Sequence, residues 1–178
     1  QIELLTVDRD GMFQQVAVMG LSADKFSGCA AVAAGLGADG KRYLVLDGVQ
    51  DPGNVGTIWR TADALGADGL ILVNGCADPW NPKTVRATMG ACFRLPVYER
   101  NADGLAQWLG EQGIPLYATA LREDTVDLRE AELSRCAVVI GSEGRGVSEG
   151  LLSQSAKTLK IPMRARCESL NVLWEMGR

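Results

Sequence analysis

Residues 138–172 read VVIGSEGRGVSEGLLSQSAKTLKIPMRARCESLNV and combine two short apolar runs with loops of small and polar residues. The first apolar run, residues 137–140, is typical of a fully buried strand. A glycine-rich loop, residues 141–146, follows directly, and glycine allows the backbone to turn with positive φ or to approach a ligand closely. A second strand is predicted over residues 158–162, where a proline prevents further ladder pairing. Ligands of open α/β sheets bind beyond the carboxyl ends of the strands, so we expect the site where these two strands end side by side.

Strand and helix patterns alternate through the rest of the chain, which predicts an α/β fold: a mostly parallel sheet with helices on both faces. The predicted strands cover residues 2–7, 43–46, 70–73, 95–98 and 116–120. The predicted helices cover residues 57–65, 83–90, 102–112 and 128–133, with a helical turn near 12–18. Glycine-rich composition makes residues 35–40 a linker between a short N-terminal part and the main body.

The composition indicates one soluble globular domain with an adequate core, because 47% of the 178 residues are apolar and 22% are charged. No apolar run approaches the roughly 18 residues of a membrane span, and the first residues lack a signal-peptide pattern, so no membrane partner is expected. The five cysteines form no CxxC pair, which argues against a disulfide framework and favours the cytoplasm. Because the chain has no histidine, Ser-His-Asp catalysis and imidazole metal sites are excluded, and no metal is expected.

The charge is acidic overall but unevenly distributed. A net charge of −4 argues against a general nucleic-acid binder, and DNA is not expected as a partner. Residues 79–100, however, carry four basic side chains and one acid, and residues 157–172 repeat that ratio. The sequence therefore leaves room for a local basic face on an acidic body.

Two motifs are ambiguous when each is taken alone. Asn54 is predicted just before a helix and Arg60 about two turns into it, and the free N–H groups of a helix start favour an anion. The same residues are compatible with an ordinary helix cap and a surface charge. The glycine-rich loop, GSEGRG, is neither a GxGxxG dinucleotide fingerprint nor a phosphate-binding P-loop.

Four motifs in a fixed order are more specific than any one of them: residues 54–62 (NVGTIWRTA), 82–91 (PKTVRATMGA), 141–144 (GSEG) and 161–172 (IPMRARCESLNV). Over residues 43–172 the chain resembles the SpoU (TrmH-type) family of SPOUT methyltransferases. The resemblance implies that residues 37–178 form an α/β domain whose C-terminal part makes a deep trefoil knot, which pattern alone does not predict. It also implies S-adenosylmethionine as cofactor, methylation of a ribose 2′-hydroxyl in tRNA or rRNA, and a homodimer.

The resemblance also assigns roles to residues by motif. The catalytic and other active-site polar residues would be Arg60, Asn54, Glu143 and Asn171. The cofactor-binding residues would be Thr119, Ala120, Leu121, Gly141, Ser142, Gly144, Ile161, Met163 and Leu170. The residues that meet the RNA backbone would be Lys83, Arg86 and Arg145.

The chemistry of the expected reaction leaves two roles open for Arg60. A methyl group on a sulfonium is already activated, so catalysis needs in-line alignment and a polarised or deprotonated hydroxyl. A guanidinium, with a pKa above about 12, acts as a base only if that pKa is strongly lowered. Otherwise it is a fixed cation that stabilises the developing alkoxide. We favour the role of a fixed cation, because the lowering of the pKa that a base would require is large.

The chain departs from the family pattern at three places. Ala165 stands where the family usually has glycine. Leu173 follows Val172 directly, where about seven further residues, two helical turns, are expected. Residues 1–36 are expected to be the end of an N-terminal RNA-recognition domain together with its linker.

Two other classes of function compete with the enzyme. The first is a knotted domain that binds RNA or cofactor without turnover, which leaves the joint presence of Asn54, Arg60 and Glu143 unexplained. The second is a Rossmann-type nucleotide enzyme, for which the segment after residues 43–46, DGVQDP, supplies no glycine fingerprint. Cofactor binding separates the Rossmann enzyme from the other two classes, and turnover separates the methyltransferase from the binding domain.

Overall fold

A computed structural model describes residues 2–9, 12–19, 41–120, 125–142 and 144–160, the first two segments by their backbone alone. Those two segments are strands, β1 (Ile2–Arg9) and β2 (Met12–Met19), which pair in antiparallel register. The helical turn predicted near residues 12–18 is therefore wrong. Valine and phenylalanine in β2 favour a strand. Pairing with β1 adds ladder hydrogen bonds, which the local sequence pattern does not reveal.

The described part of the main body is a sheet of seven parallel strands, in the order β5-β4-β3-β8-β6-β9-β7. The strands are β3 (Arg42–Asp47), β4 (Gly69–Val73), β5 (Val97–Glu99), β6 (Leu116–Thr119), β7 (Val126–Asp127), β8 (Cys136–Gly141) and β9 (Lys157–Lys160). The helices are α1 (Pro52–Ala64), α2 (Pro82–Ala87), α3 (Ala102–Gln112) and α4 (Glu149–Gln154), with 3₁₀ turns at Ala91–Phe93 and Leu128–Glu130. The predicted parallel α/β architecture is confirmed.

Helices cover both faces of this sheet because neighbouring residues of a strand point to opposite sides. On one face, Leu46 of β3 packs with Ile58 and Trp59 of α1. On the other face, Val45 packs with α3 and α4, whose Leu151 is fully buried. The glycine-rich loop therefore leads from the sheet to a helix on the face opposite α1.

The two strands expected to end side by side are not neighbours. β6 lies between β8 and β9, and Tyr117 is opposite Val138 on one side and Lys157 on the other. Strands that follow each other in the chain are usually neighbours in a sheet. Here β8 pairs with β3 and β9 pairs with β6, both of which lie much earlier in the chain. The end of β6 consequently separates the two loops.

Several predicted boundaries shift for local reasons. Asp51 caps α1, with Pro52 as the first helical residue, so this helix begins five residues before the predicted start. The helix predicted over 83–90 ends at Ala87, because Met89 and Gly90 have positive φ values of 49° and 88°. The helix predicted over 128–133 is a single 3₁₀ turn. The short strand β7 and helix α4 were not predicted.

The C-terminal part of the predicted knot, residues 161–178, lies outside the described residues, and the knot stays a prediction. The predicted linker at 35–40 and the end of the strand predicted over 158–162 lie outside them too. Among the helices that the structure describes, none combines the length and the apolar character needed to cross a membrane.

Candidate functional site

The glycine-rich loop (residues 141–146) turns tightly at the carboxyl end of β8. Ser142 and Gly146 form an antiparallel bridge, and the N–H of Gly146 donates to the carbonyl oxygen of Ser142 at 2.8 Å. A Cβ atom on Gly141 would overlap the backbone of Gly146 and Val147 far inside van der Waals contact. The return of the loop against β8 therefore requires glycine at position 141.

The end of β6 lies directly beside this loop. Thr119 donates a side-chain hydrogen bond at 2.9 Å to the carbonyl oxygen of Val139 in β8. On the other side, the N–H of Ala120 donates at 3.1 Å to the carbonyl oxygen of Leu159 in β9. The structure thus brings the predicted cofactor residues of β6 to the same edge of the sheet as those of the glycine-rich loop.

This edge leaves main-chain groups accessible because its side chains are small. The side chains at Thr119, Ala120 and Ser142 are small, and Gly144 and Arg145 are exposed. A Cβ atom on Gly144 would meet nothing within 4 Å, so the loop backbone there faces open space. The remaining predicted residues lie outside the described ones, and their roles stay predictions: Leu121, Glu143, Ile161, Met163, Leu170 and Asn171.

Asn54 lies inside the first turn of α1 rather than before it. The N-cap is Asp51, whose Oδ2 accepts a hydrogen bond from the N–H of Asn54 at 2.9 Å. The interpretation of Asn54 as the helix cap is therefore wrong. Its half-buried side chain is displayed near the carboxyl edge, because α1 begins shortly after β3 ends.

Arg60 is half-buried on the same helix, six residues beyond Asn54. In a regular α-helix that spacing corresponds to about 9 Å along the axis and about 120° around it. Arg60 is carried by α1, which covers one face of the sheet, whereas the glycine-rich loop extends from the end of the sheet strand β8. Among the described residues, Asn54, Thr119 and Gly141 therefore lie near the carboxyl edge of the sheet, whereas Arg60 lies about 9 Å further along α1.

The predicted RNA-binding residues differ in their surroundings. Lys83 Nζ lies 2.6 Å from Asp51 Oδ1 in an ion pair between partly exposed side chains. This hydrogen bond, followed by that from the N–H of Asn54, lowers the pKa of Asp51 below its ordinary value of 3.8. Arg86, in the last turn of α2, and Arg145, in the glycine-rich loop, are exposed. Part of the charge of Lys83 is therefore balanced within the protein.

Asp47 is a residue at this edge that the sequence reading missed. It ends β3, is 3% exposed, and accepts hydrogen bonds at 2.6 Å from Asn74 Nδ2 and from the backbone N–H of Ser148. The available signal was an acid placed at the end of an apolar strand, directly before Gly48. From the sequence alone, this acid indicates only that the strand ends here.

Trp80 is a second residue that the sequence reading missed. It is 50% exposed, and its ring contacts the edge of Trp59 with the ring centres 5.9 Å apart. Trp59 is fully buried, and its indole N–H donates to the carbonyl oxygen of Leu95 at 2.9 Å. The exposed ring of Trp80 therefore packs against the buried ring of Trp59, which is held by a hydrogen bond. Trp80 lies three residues before Lys83 in the sequence.

A pocket of about 300 Å³ opens elsewhere, at the carboxyl ends of β4 and β5. It is lined by residues 72–79 with Glu99 and Arg100, and it contains none of the predicted site residues. Within the described part of the chain, no group of three or more Asp, Glu or Cys side chains is arranged to hold a metal ion.

Residues 41–174 match the family described as the SpoU rRNA Methylase family. The 23S rRNA (guanosine(2553)-2'-O)-methyltransferase RlmP of Bacillus subtilis (strain 168) is 39% identical over 135 residues, 76% of this chain and 54% of that protein. The uncharacterized tRNA/rRNA methyltransferase slr1673 of Synechocystis sp. is 40% identical over 136 residues, 75% of this chain and 49% of that protein. The chain spans about half the length of these curated relatives.

Solved structures give the same assignment. The AdoMet-bound rRNA methyltransferase from Sinorhizobium meliloti is similar with a TM-score of 0.73 and 36% identity, over 82% of this chain and 56% of that one. The SpoU methyltransferase AviRb from Streptomyces viridochromogenes, in complex with AdoMet, has a TM-score of 0.73 and 27% identity, over 92% of this chain and 61% of that one.

Proposed function

The chain belongs to the SpoU rRNA Methylase family, and we propose that it transfers a methyl group from S-adenosylmethionine to a ribose 2′-hydroxyl of rRNA or tRNA. The observation that carries this proposal is that the family match runs over residues 41–174 and so includes both the helix with Asn54 and Arg60 and the glycine-rich loop. The name of the Bacillus subtilis relative, a 23S rRNA (guanosine-2'-O)-methyltransferase, makes rRNA the first substrate to test.

The carboxyl edge of β6, β8 and β9 is the proposed cofactor site. Bound S-adenosylmethionine supplies a methyl group on a sulfonium, which is already activated for transfer. Thr119 and Ala120 would form one wall of the site, and Gly141 with Ser142 the other. Small side chains and a close backbone allow polar atoms of the ligand to meet main-chain N–H and C=O groups directly. Ile161, Met163 and Leu170 complete the proposed site.

Arg60 is proposed to act as a fixed cation rather than as a proton acceptor. A guanidinium is protonated at any physiological pH, so it cannot accept a proton unless its pKa is lowered by several units. As a half-buried cation on a packed helix, it would stabilise the negative charge that develops on the ribose oxygen while the hydroxyl proton passes to solvent water. Asn54, Glu143 and Asn171 are proposed to orient the ribose and its phosphates.

The RNA-binding surface is proposed to combine basic and aromatic side chains. Arg86 and Arg145 are exposed, and Lys83 adds a partly balanced charge. Trp80, three residues before Lys83, is 50% exposed. Proteins bind unpaired RNA by stacking bases on exposed aromatic rings next to cations that meet the phosphates. This combination supports an RNA substrate for a chain whose overall charge is negative.

We extend the proposal to three properties of the whole protein. It would act as a homodimer, with a trefoil knot formed by the C-terminal segment, and it would work in the cytoplasm. The homodimer would double the number of small basic faces available to one RNA, which matters for a protein with a net charge of −4.

The direct test uses the protein with methyl-labelled S-adenosylmethionine and total rRNA and tRNA from a methylation-deficient source. The wild type should transfer label to RNA, whereas Arg60→Ala should bind S-adenosylhomocysteine normally and transfer at least about 100-fold more slowly, as expected for lost electrostatic stabilisation. Cofactor binding without label in any RNA would favour a non-catalytic binding domain. Absence of cofactor binding would contradict the proposal.

A further inference from the structure

Asp47 is a buried carboxylate that has no part in the proposed transfer. Its Oδ1 accepts from Asn74 Nδ2 and its Oδ2 accepts from the N–H of Ser148, both at 2.6 Å. A carboxylate is costly to bury unless hydrogen bonds replace its water. The two hydrogen bonds therefore account for the burial of Asp47.

The same residue reaches both ends of the glycine-rich loop. In the ladder between β3 and β8, Asp47 is the register partner of Gly141, the first residue of the loop. Ser148, which follows the loop by two residues, is the N-cap of α4 and makes no capping hydrogen bond with its own side chain. Its backbone N–H is bound by Asp47 instead. Asp47 thus lies opposite the start of the loop through its backbone and holds the start of α4 through its side chain.

We propose that Asp47 is a positioning residue for the cofactor, which holds the glycine-rich loop in the shape that S-adenosylmethionine binds. This inference rests on the proposed function, because the loop is assigned to the cofactor there. A loop with three glycines has many accessible conformations, and ordering it costs more entropy than ordering other residues. Fixing both of its ends before the ligand arrives removes part of that cost from binding.

Asparagine at position 47 tests the two hydrogen bonds that the carboxylate accepts, one from Asn74 and one from Ser148. An amide has nearly the same shape but offers one acceptor oxygen and one NH₂ donor. In one orientation of the amide the N–H of Ser148 would face another donor, and in the other the Nδ2 group of Asn74, which also donates to Ser148 Oγ, would do so; both arrangements disturb the end of the loop at Ser148. The variant Asp47→Asn should therefore release one end of the loop without creating a cavity.

The test measures binding of S-adenosylhomocysteine by calorimetry, together with hydrogen exchange at Val147 and Ser148. In Asp47→Asn we expect affinity to fall about tenfold, the equivalent of one buried hydrogen bond, and exchange at Ser148 to accelerate. The matched control is Ser148→Ala, which keeps the N–H that Asp47 binds and loses only the Oγ atom, a group that accepts from Asn74 Nδ2 at 3.3 Å and does not cap α4. Its affinity should stay within about twofold of the wild type, because the Asp47–Ser148 bond remains.

A second variant keeps the test decisive if Asp47→Asn does not fold. Ser148→Pro removes the N–H that Asp47 binds together with the hydroxyl that Ser148→Ala also lacks, and the φ of −63° at Ser148 is the value that proline requires. It should weaken S-adenosylhomocysteine binding to a similar degree. Wild-type affinity in a folded Asp47→Asn or Ser148→Pro protein would overturn the inference and leave the proposed function intact. Failure of the wild type itself to bind would instead remove the proposed cofactor, and the inference with it.

Discussion

Gly141 is the residue whose side chain the structure constrains most directly. A methyl group there would overlap the backbone of Gly146, so Gly141→Ala should lower the free energy of unfolding by about 2 kcal/mol or more, as other overpacked positions do. The same change should abolish binding of S-adenosylhomocysteine. Urea unfolding and calorimetry measure the two effects. Gly144→Ala is the control, because its methyl group would meet nothing within 4 Å, and its stability should match the wild type within about 0.5 kcal/mol. Equal stabilities of the two variants would contradict this account of the loop.

Trp80 is the described side chain best placed to stack on a base. Trp80→Ala should raise the KM for RNA about tenfold with little change in kcat, because stacking of one base contributes about 1–3 kcal/mol to binding. Trp80→Phe should restore most of the affinity. Tyr98→Ala serves as the control, since Tyr98 is 39% exposed but lies on β5, at the far end of the sheet from the glycine-rich loop. An unchanged KM in Trp80→Ala, or weaker self-association in its place, would exclude base stacking and favour a contact between protein copies.

Among the elements, α1 and α2 approach each other most closely through Gly56. A Cβ atom at Gly56 would overlap the carbonyl oxygen of Thr84 and approach the methyl group of Ala87. Gly56→Ala should therefore cost about 1–3 kcal/mol of stability, although alanine is the better helix former. Gly110→Ala in α3 is the matched control, because open space surrounds that position and stability should rise by up to about 1 kcal/mol. Thermal unfolding of both variants measures the contrast, and a gain in both would show that the helices are not in contact.

The start of α1 depends on the charge of Asp51. Its lowered pKa means that its ionic contribution is complete above the ordinary value of 3.8 and is lost as the pH falls through the lowered value. Asp51→Asn keeps a good cap but removes the charge, so it should be less stable than the wild type at pH 7 by under about 1 kcal/mol. Urea unfolding between pH 7 and pH 2 should show this difference shrinking toward zero. A difference that grows at low pH would mean that the carboxyl group is destabilising.

Across the whole molecule, the type and order of the main elements could be predicted from the sequence better than which strands are neighbours in the sheet. The parallel sheet followed from apolar runs such as residues 137–140, whose burial leaves a local mark. The position of β6 between β8 and β9, and the pairing of β2 with β1, depend on contacts between distant residues that no local pattern records. The capping role of Asp51 was hidden because Asn54 also fits the cap preference.

The candidate site shows the same difference between local features, which can be predicted from the sequence, and contacts between distant residues, which cannot. Gly141 and Ser142 could be proposed from the sequence because glycines after a strand are a local signal, and the structure adds that β6, with Thr119 at its end, pairs with β8. The partnership of Asp47 with Ser148 joins residues 101 positions apart, and the support of Trp80 by Trp59 depends on the fold of α1. Their function therefore becomes visible only once the chain is folded.

The measurement that tests the central claim most directly is the position of the methyl group on the RNA. RNA labelled by the protein with methyl-labelled S-adenosylmethionine is hydrolysed in alkali, which needs a free 2′-hydroxyl to cleave the chain. Methylation of that hydroxyl should leave the label in alkali-resistant dinucleotides, and Arg60→Ala should reduce it at least about 100-fold. Label recovered in mononucleotides would mean that a base is methylated and would contradict the account.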